Sequence, residues 1–179
     1  MEFKDKRVII TAGAGGIGRE TTRLFVEAGA KVFICDVDET ALENTLSSFD
    51  NVSGARVDVS DPDHFKSFFS KADEYLGGLD IMINNAGTAG PTALIEDISL
   101  EEWSNCININ LTSAFLGTQE SIPRIKDSNN EGGSIINLSS AAGKFGFPLR
   151  SPYSAAKWAI VGLTPVSYTH LTLPTKRIV

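Results

Sequence analysis

At 179 residues the chain can hold one domain with a real core and is too short for two of comfortable size. A hydrophobic share of 42% beside 21% charged residues is that of a globular protein, and a net charge of −6 with a pI near 4.9 excludes the clustered lysine and arginine of a nucleic-acid surface. No apolar run reaches membrane-spanning length, and Met1–Arg7 is charged with no apolar signal segment, so a cytoplasmic protein without membrane partners is expected. Cys35 and Cys106 read as small buried hydrophobes rather than a disulfide, and His64 as a helix-surface residue. No histidine, cysteine and carboxylate cluster has metal-ligand spacing, so no metal site is expected.

The first predicted strand is the β-branched run Arg7–Ala12, which leads into Gly13-Ala14-Gly15-Gly16-Ile17-Gly18 and then a helix over Arg19–Ala28. In that context a glycine pattern becomes a phosphate site: the backbone can approach a pyrophosphate, and the helix N-terminus offers it unpaired N–H groups. Lys31–Cys35 is the second strand and ends on Asp36, where a carboxylate can accept hydrogen bonds from a ribose 2′-hydroxyl and would repel a 2′-phosphate. That favours NAD over NADP.

Further on, Asp38–Phe49 reads as a helix, Ala55–Val59 as a third strand and Asp61–Leu76 as a helix opened by Asp-Pro and stopped by Gly77-Gly78. Leu79–Ile83 is a fourth strand, followed by Asn84-Asn85-Ala86-Gly87. Ser99 caps a short segment, a helix spans about Trp103–Ile125, residues 126–133 form an exposed loop, and Ser134–Leu138 is a fifth strand that delivers Ser139 and Ser140. Strands alternating with helices, without hairpin signals, predict an α/β doubly wound parallel sheet with its ligands beyond the strands' carboxyl ends.

Ser151-Pro-Tyr-Ser-Ala-Ala-Lys157 places Tyr153 and Lys157 at i and i+4 of a helix, facing the same space. A phenol with an ordinary pKa of about 10 is a poor base at neutral pH, and an ammonium beside it favours the phenolate. A nearby serine hydroxyl can hold a carbonyl oxygen for protonation.

These residues resemble the short-chain dehydrogenase/reductase family over about Lys6–Thr164. The family's Thr-Gly-x-x-x-Gly-x-Gly falls on Thr11–Gly18, with Ala12 in place of the first glycine, and its Asn-Asn-Ala-Gly is intact at Asn84–Gly87. The resemblance implies a Rossmann-type fold, here incomplete at the C-terminal edge of the sheet. It also implies a cofactor site built from Thr11, Gly13, Gly16, Ile17, Gly18, Asp36, Asp58, Val59, Asn85, Ala86 and Gly87, with Tyr153 and Lys157. Within that site Asp58 would meet the adenine ring. The implied catalytic residues are Ser140, preferred to Ser139 for its spacing from Tyr153, together with Tyr153, Lys157 and Asn110, which would hold a water in the proton relay. The expected activity is hydride transfer between NAD(H) and a secondary alcohol or ketone. The alternatives are an NADPH-dependent 3-oxoacyl thioester (acyl-carrier-protein) reductase and, in another class, a non-catalytic dinucleotide-binding sensor or scaffold. The parent protein is expected to be a homo-oligomer, a dimer or tetramer.

After Thr164 the family pattern stops. Pro165 is expected to break the helix and Pro174 to prevent another. Val166–Thr175 also reads, residue for residue, as a translated transposase-end adapter. The expected organisation is therefore a truncated NAD(P)-binding Rossmann domain over residues 1–164 and a non-native tail over 165–179. Such a fragment, lacking the last part of its sheet, is expected to fold poorly and to be inactive.

Overall fold

Five short strands form one wholly parallel sheet in the order β3-β2-β1-β4-β5, and the three central strands are apolar and largely buried. The computed structural model describes residues 3–128 and 132–171 of the chain. The strands are β1 (Arg7–Thr11), β2 (Lys31–Asp36), β3 (Val52–Arg56), β4 (Ile81–Asn84) and β5 (Ser134–Asn137). Between them run α1 (Gly16–Glu27), α2 (Glu39–Leu46), α3 (Pro62–Leu76), α4 (Leu100–Ile107), α5 (Ser113–Asp127) and α6 (Ser151–Leu171). The doubly wound sheet expected from the sequence is thus present, with the order reversing between β1 and β4. At such a switch point the loops leave in opposite directions and open a crevice at the strands' carboxyl ends.

Each face of the sheet carries its own core. One gathers Ile9, Phe33, Met82 and Leu79 against the α3 phenylalanines Phe65, Phe68 and Phe69. The other packs Val8, Ile10, Val32, Ile34, Ile81 and Ile83 under α1 and α2. The α3 phenylalanines meet one another and Phe33 with ring centroids 5.2–5.9 Å apart. At that separation aromatic pairs add to the area they bury. α3 starts as its sequence dictates: Asp61 accepts from the N–H groups of Asp63 and His64, and Pro62 fills a first-turn position that has no N–H to satisfy.

At the opposite end of the strands Arg7 bolts β1 to the residue before β4. Its Nε and its backbone N–H both donate to Oδ2 of Asp80 at 2.8 Å, and Nη2 donates to Oδ1 at 3.2 Å. Burial works to raise the Asp80 carboxyl pKa, but the Arg7 hydrogen bonds outweigh it and hold the group below the usual carboxylate range.

Three elements differ from expectation. β3 pairs over Val52–Arg56 rather than over Ala55–Val59, because Val52 stands opposite Val32 and the pairing ends at Arg56 opposite Asp36. Asp58 therefore lies in the loop beyond the strand. The single helix expected over Trp103–Ile125 is α4 and α5 joined by a π turn over Asn108–Thr112. α4 begins earlier than expected because Ser99 and Glu102 form a reciprocal capping box.

Pro165 does not end α6, which continues to Leu171. The carbonyl that Pro165 cannot satisfy belongs to Val161, on a face open to water. Meanwhile Leu163, Val166 and Ser167 line a groove with Phe115, Thr118 and Ile122 of α5, the helix beside which α6 lies. Asn129–Glu131 of the expected loop and Thr172–Val179 of the expected tail lie outside the described residues.

Candidate active site

The glycine turn begins where β1 leaves the sheet. Ala12 takes φ +49°, Gly13 donates its N–H to Cys35 O at 2.9 Å, and Gly16 takes φ +47° as α1 starts. Two properties fit this turn to an anion. A β-carbon on Gly18 would overlap the carbonyl oxygen of Ala12, so α1 can sit this close to β1 only with glycine there. β-carbons on Gly15 or Gly16, by contrast, would meet nothing within 4 Å, so the outer face of the turn is open to an approaching phosphate. Gly15, at the N-cap, has no side chain to accept from the first-turn N–H groups, and that turn carries no acidic residue.

Beside the turn, a cleft of about 180 Å³ is lined by Ala12, Asp36, Val37, Val57, Asp58, Val59, Ala86, Gly87 and Ile109. Asp36, at the end of β2, accepts from the N–H of Ala14 at 3.1 Å and of Asp38 at 3.2 Å, so its carboxylate is fixed at the rim. Asp58 Oδ1 accepts from the Ser60 hydroxyl at 2.7 Å and the Ser60 N–H at 2.9 Å. Those bonds hold the Asp58 carboxyl below its ordinary pKa. The cleft thus pairs an apolar floor with two acceptors, a composition suited to an adenosine.

The fourth strand delivers the partition between this cleft and the next. Thr11, itself buried, accepts on its hydroxyl from the N–H groups of Asn85 at 3.0 Å and Ala86 at 2.9 Å. Asn85 returns two bonds from its Nδ2, to Thr11 O at 2.9 Å and Ala12 O at 3.0 Å. Asn84 reaches the other way, donating to Asn137 Oδ1 at 2.8 Å and so tying β4 to β5. Asn110 sits in the π turn, 1% exposed. Its Nδ2 donates to Thr88 O and Cys106 O, each at 2.9 Å, and its Oδ1 accepts from Thr88 N–H at 3.2 Å. A β-carbon on Gly87 would sit 2.9 Å from that Oδ1 and 3.5 Å from Lys157 Nζ, so Gly87 brings the two groups together.

A second cleft is lined by Ile17, Asn85, Gly87, Thr88, Ala89, Asn110, Leu138, Ser139, Tyr153 and Lys157. Tyr153 and Lys157 share one face of α6, with Lys157 Nζ 5.7 Å from the Tyr153 ring centre. Lys157 is 5% exposed and donates to Leu138 O at 2.9 Å. Burial lowers its pKa below that of an ordinary lysine. Ser139 donates its hydroxyl to Lys157 O at 2.8 Å, which welds the end of β5 to α6. Ser140 Oγ accepts from Ala142 N–H at 3.2 Å at the start of a short 3₁₀ turn.

Of the residues singled out in the sequence, Asp36, Asp58, Val59, Ala86 and Gly87 line the first cleft, and Ile17, Asn85, Gly87, Asn110, Tyr153 and Lys157 the second. Thr11, Gly13, Gly16 and Gly18 build the turn and strand end behind them. Ser139, not Ser140, is the serine in the wall of the second cleft. The segment Thr88–Ile95 was expected to border the pocket, and Thr88 does line it, whereas Leu138 was passed over because its role rests on a main-chain atom that no residue type betrays. Both cysteines are free and buried, as expected, and burial pushes the Cys35 thiol up to about 12. Among the described residues no group of three or more histidine, cysteine or carboxylate side chains could hold a metal, and no helix is long and apolar enough to cross a membrane.

Residues 6–172 match the model of a family described as short chain dehydrogenase. The chain is 32% identical over 163 residues to short chain dehydrogenase/reductase dpchG of Colletotrichum higginsianum, covering 89% of this chain and 61% of that protein. It is 34% identical to 3-oxoacyl-(acyl-carrier-protein) reductase FabG of Thermotoga maritima, covering 92% and 67% respectively. It is 37% identical to trans-4-hydroxycyclohexanecarboxylate dehydrogenase of Sinomonas cyclohexanicum, covering 91% and 65%. The crystal structure of a short chain dehydrogenase from Mycobacterium smegmatis superposes with a TM-score of 0.85 at 32% identity, covering 92% of this chain and 70% of that one. The chain thus spans 61–67% of the length of these curated relatives.

Proposed function

Because the chain belongs to the short chain dehydrogenase family, we propose that it carries the cofactor-binding and proton-transfer parts of an oxidoreductase acting between NAD(H) and a secondary alcohol or its ketone. The observation that carries this reading is the convergence of Tyr153, Lys157 and Asn110 on one cleft that shares Gly87 with the cleft of Asp36 and Asp58. The open face of the glycine turn and the two fixed carboxylates fit a dinucleotide, and NAD when bound supplies hydride chemistry. Thr11, Gly13, Gly16, Ile17 and Gly18 would hold the pyrophosphate side, and Asp36 the adenosine ribose. Val59 and Asp58 would border the adenine.

In the oxidative direction Tyr153 takes the alcohol proton as phenolate, and Lys157 supports that phenolate while it holds its own proton. Burial of Lys157 works against that charge, so the support ends at a lower pH than an ordinary lysine would allow. Ser140, one residue beyond the Ser139 that lines the cleft, would orient the substrate oxygen. Both amide hydrogens of Asn110 are engaged, so a relay water would be received at its Oδ1, beside Gly87 and Lys157. The reductive direction runs the same proton path backward.

One observation favours a second reading. The relatives include a 3-oxoacyl-(acyl-carrier-protein) reductase, and a polyketide synthase putative ketoacyl reductase from Streptomyces violaceoruber is 38% identical. Asp36 at the cleft rim weighs against the 2′-phosphate of an NADPH-dependent form, and a comparison of turnover with NADH and NADPH separates the two. A sensor that binds the dinucleotide without turnover is the remaining reading.

We further propose that native sequence ends near Thr164, so that the complete protein is a longer, cytoplasmic homo-oligomer. The deciding experiment uses that protein, with the sequence beyond Thr164 taken from the source gene. Tyr153→Phe should lower turnover by at least about 10³-fold with the dissociation constant for NAD changed less than about threefold. NAD binding by the wild type without turnover, left unchanged in Tyr153→Phe, would favour the sensor.

A further inference from the structure

The loops on the substrate side of the second cleft are tied together by a residue outside the machinery described so far. Arg150 directly precedes α6, and its carbonyl accepts from Ser154 N–H at 2.9 Å, so it caps the helix that carries Tyr153 and Lys157. Its side chain leaves that helix. Nη1 donates to Ala89 O at 3.0 Å and to Gly90 O at 2.8 Å. The same stretch is gripped from the other side by Asn110, through the N–H and carbonyl of Thr88. Thr88 and Ala89 both line the second cleft, so residues 88–90 are cleft wall held between the π turn and the cap of α6.

Two further observations show the contact to be specific. Leu149, next to Arg150, takes φ +62°, a left-handed conformation that an L residue holds only where surrounding structure enforces it. That enforcement is visible: the Leu149 carbonyl accepts from Ala93 N–H at 3.1 Å, so residues 149 and 150 clasp the 89–93 stretch at two points. Gly90, at φ +65°, leaves no room for a β-carbon against Cys106 Sγ, which fixes the stretch from beneath. A charged donor shared by two main-chain carbonyls is stronger than a neutral one and sets their spacing.

We propose that Arg150 is a positioning residue that clamps residues 88–90 to the cap of α6 and thereby fixes the substrate wall of the cleft relative to Tyr153. It rests on the oxidoreductase reading above only for its kinetic consequence. Lys157, on the same helix as Tyr153, keeps its own anchors at Leu138 and Ser139 without the clamp. The NAD cleft is built from other residues. Loss of Arg150 should therefore appear in substrate binding rather than in chemistry or cofactor affinity.

The test compares Arg150→Met, which keeps the stem and removes the donors, with Arg150→Lys, in the complete protein. Arg150→Met should raise KM for the alcohol or ketone about tenfold, with kcat and the NAD dissociation constant within about threefold of wild type. Arg150→Lys, able to reach one carbonyl, should recover part of the loss. Hydrogen exchange gives the arm that needs no activity: amides of residues 88–93 should exchange faster in Arg150→Met, while those of β1 and β2 stay unchanged. Unchanged KM and unchanged exchange would overturn the clamp, as would a uniform loss of KM, kcat, cofactor affinity and protection throughout the sheet. If the wild-type protein turns over no alcohol or ketone, the oxidoreductase reading fails by itself, and the exchange arm still decides for or against the clamp.

Discussion

Ala12 is the residue at which this chain departs from its family's glycine pattern, and its backbone shows what the departure costs. At φ +49° a β-carbon crowds the following carbonyl, which costs an L residue roughly 1–2 kcal/mol relative to glycine. Gly18, which a β-carbon would drive into the Ala12 carbonyl, keeps the turn closed in spite of it. Ala12→Gly should therefore stabilise the protein by about 1 kcal/mol, seen as a higher urea midpoint at unchanged slope. A lower midpoint would mean that the Ala12 methyl, which lines the first cleft, contributes more by packing than its conformation costs.

At this scale the sequence was most readable where chemistry demands a residue type. Asp36, Tyr153 and Lys157 could be picked out from residue type and spacing, and Asp58 from the family resemblance, and all four line the two clefts. The choice between Ser139 and Ser140 rested on spacing, and spacing does not reveal which hydroxyl is already bound. Ser139 spends its proton on Lys157 O, and Ser140 receives one from Ala142.

At the scale of elements, the π turn over Asn108–Thr112 is what the sequence concealed. A π turn widens the helix by a residue, and Asn-Ile-Asn-Leu-Thr offers no proline or glycine to announce it. Its effect is to bring Asn110 under Thr88 while α5 stays in contact with β4. That contact in turn depends on Gly117, where a β-carbon would overlap Asn84 Oδ1 and come within 2.8 Å of Met82 Cε. By helix propensity, Gly117→Ala should gain about 1 kcal/mol. Packing reverses the sign: the substitution should instead destabilise by about 1–3 kcal/mol, measured by thermal or urea unfolding. α6 illustrates the opposite lesson. Pro165 is a helix breaker by local rules, yet α6, lying beside α5, continues past it to Leu171. Local propensity is a weak prior wherever a helix has a partner to lie on.

Across the whole molecule, alternation of strand and helix was enough to predict the parallel sheet, because parallel strands need crossovers and buried strands need continuous apolar runs. Register was beyond it, and so β3 was placed three residues late. The stability of the assembled sheet should carry a pH signature from its lower edge. Asp80 is 3% exposed and held in its charged form by Arg7, so its folded pKa lies below the unfolded value of about 3.9. A depressed carboxylate pKa contributes stability that is complete above the unfolded value and lost as pH falls through the folded one. Asp80→Asn leaves Arg7 facing a neutral partner and should cost about 3 kcal/mol at pH 7. The gap between variant and wild type should then shrink as pH falls below about 4. A gap that stayed constant from pH 7 to pH 3 would assign the loss to packing rather than to charge.

The bond from Asn85 and Ala86 to the Thr11 hydroxyl spans 74 and 75 residues of chain, and that span gives the site a history during synthesis. At about 5–20 residues per second, the glycine turn is made roughly 4–15 s before the residues that tie down its root. The first cleft has its last lining residue at Ile109, whereas Tyr153 and Lys157 of the second are still to be added. Translation therefore finishes the first cleft before the second exists. On the function proposed above, a dinucleotide would meet its binding half on the growing chain first, and would hold β1 and β4 in place while β5 and α6 are still being made.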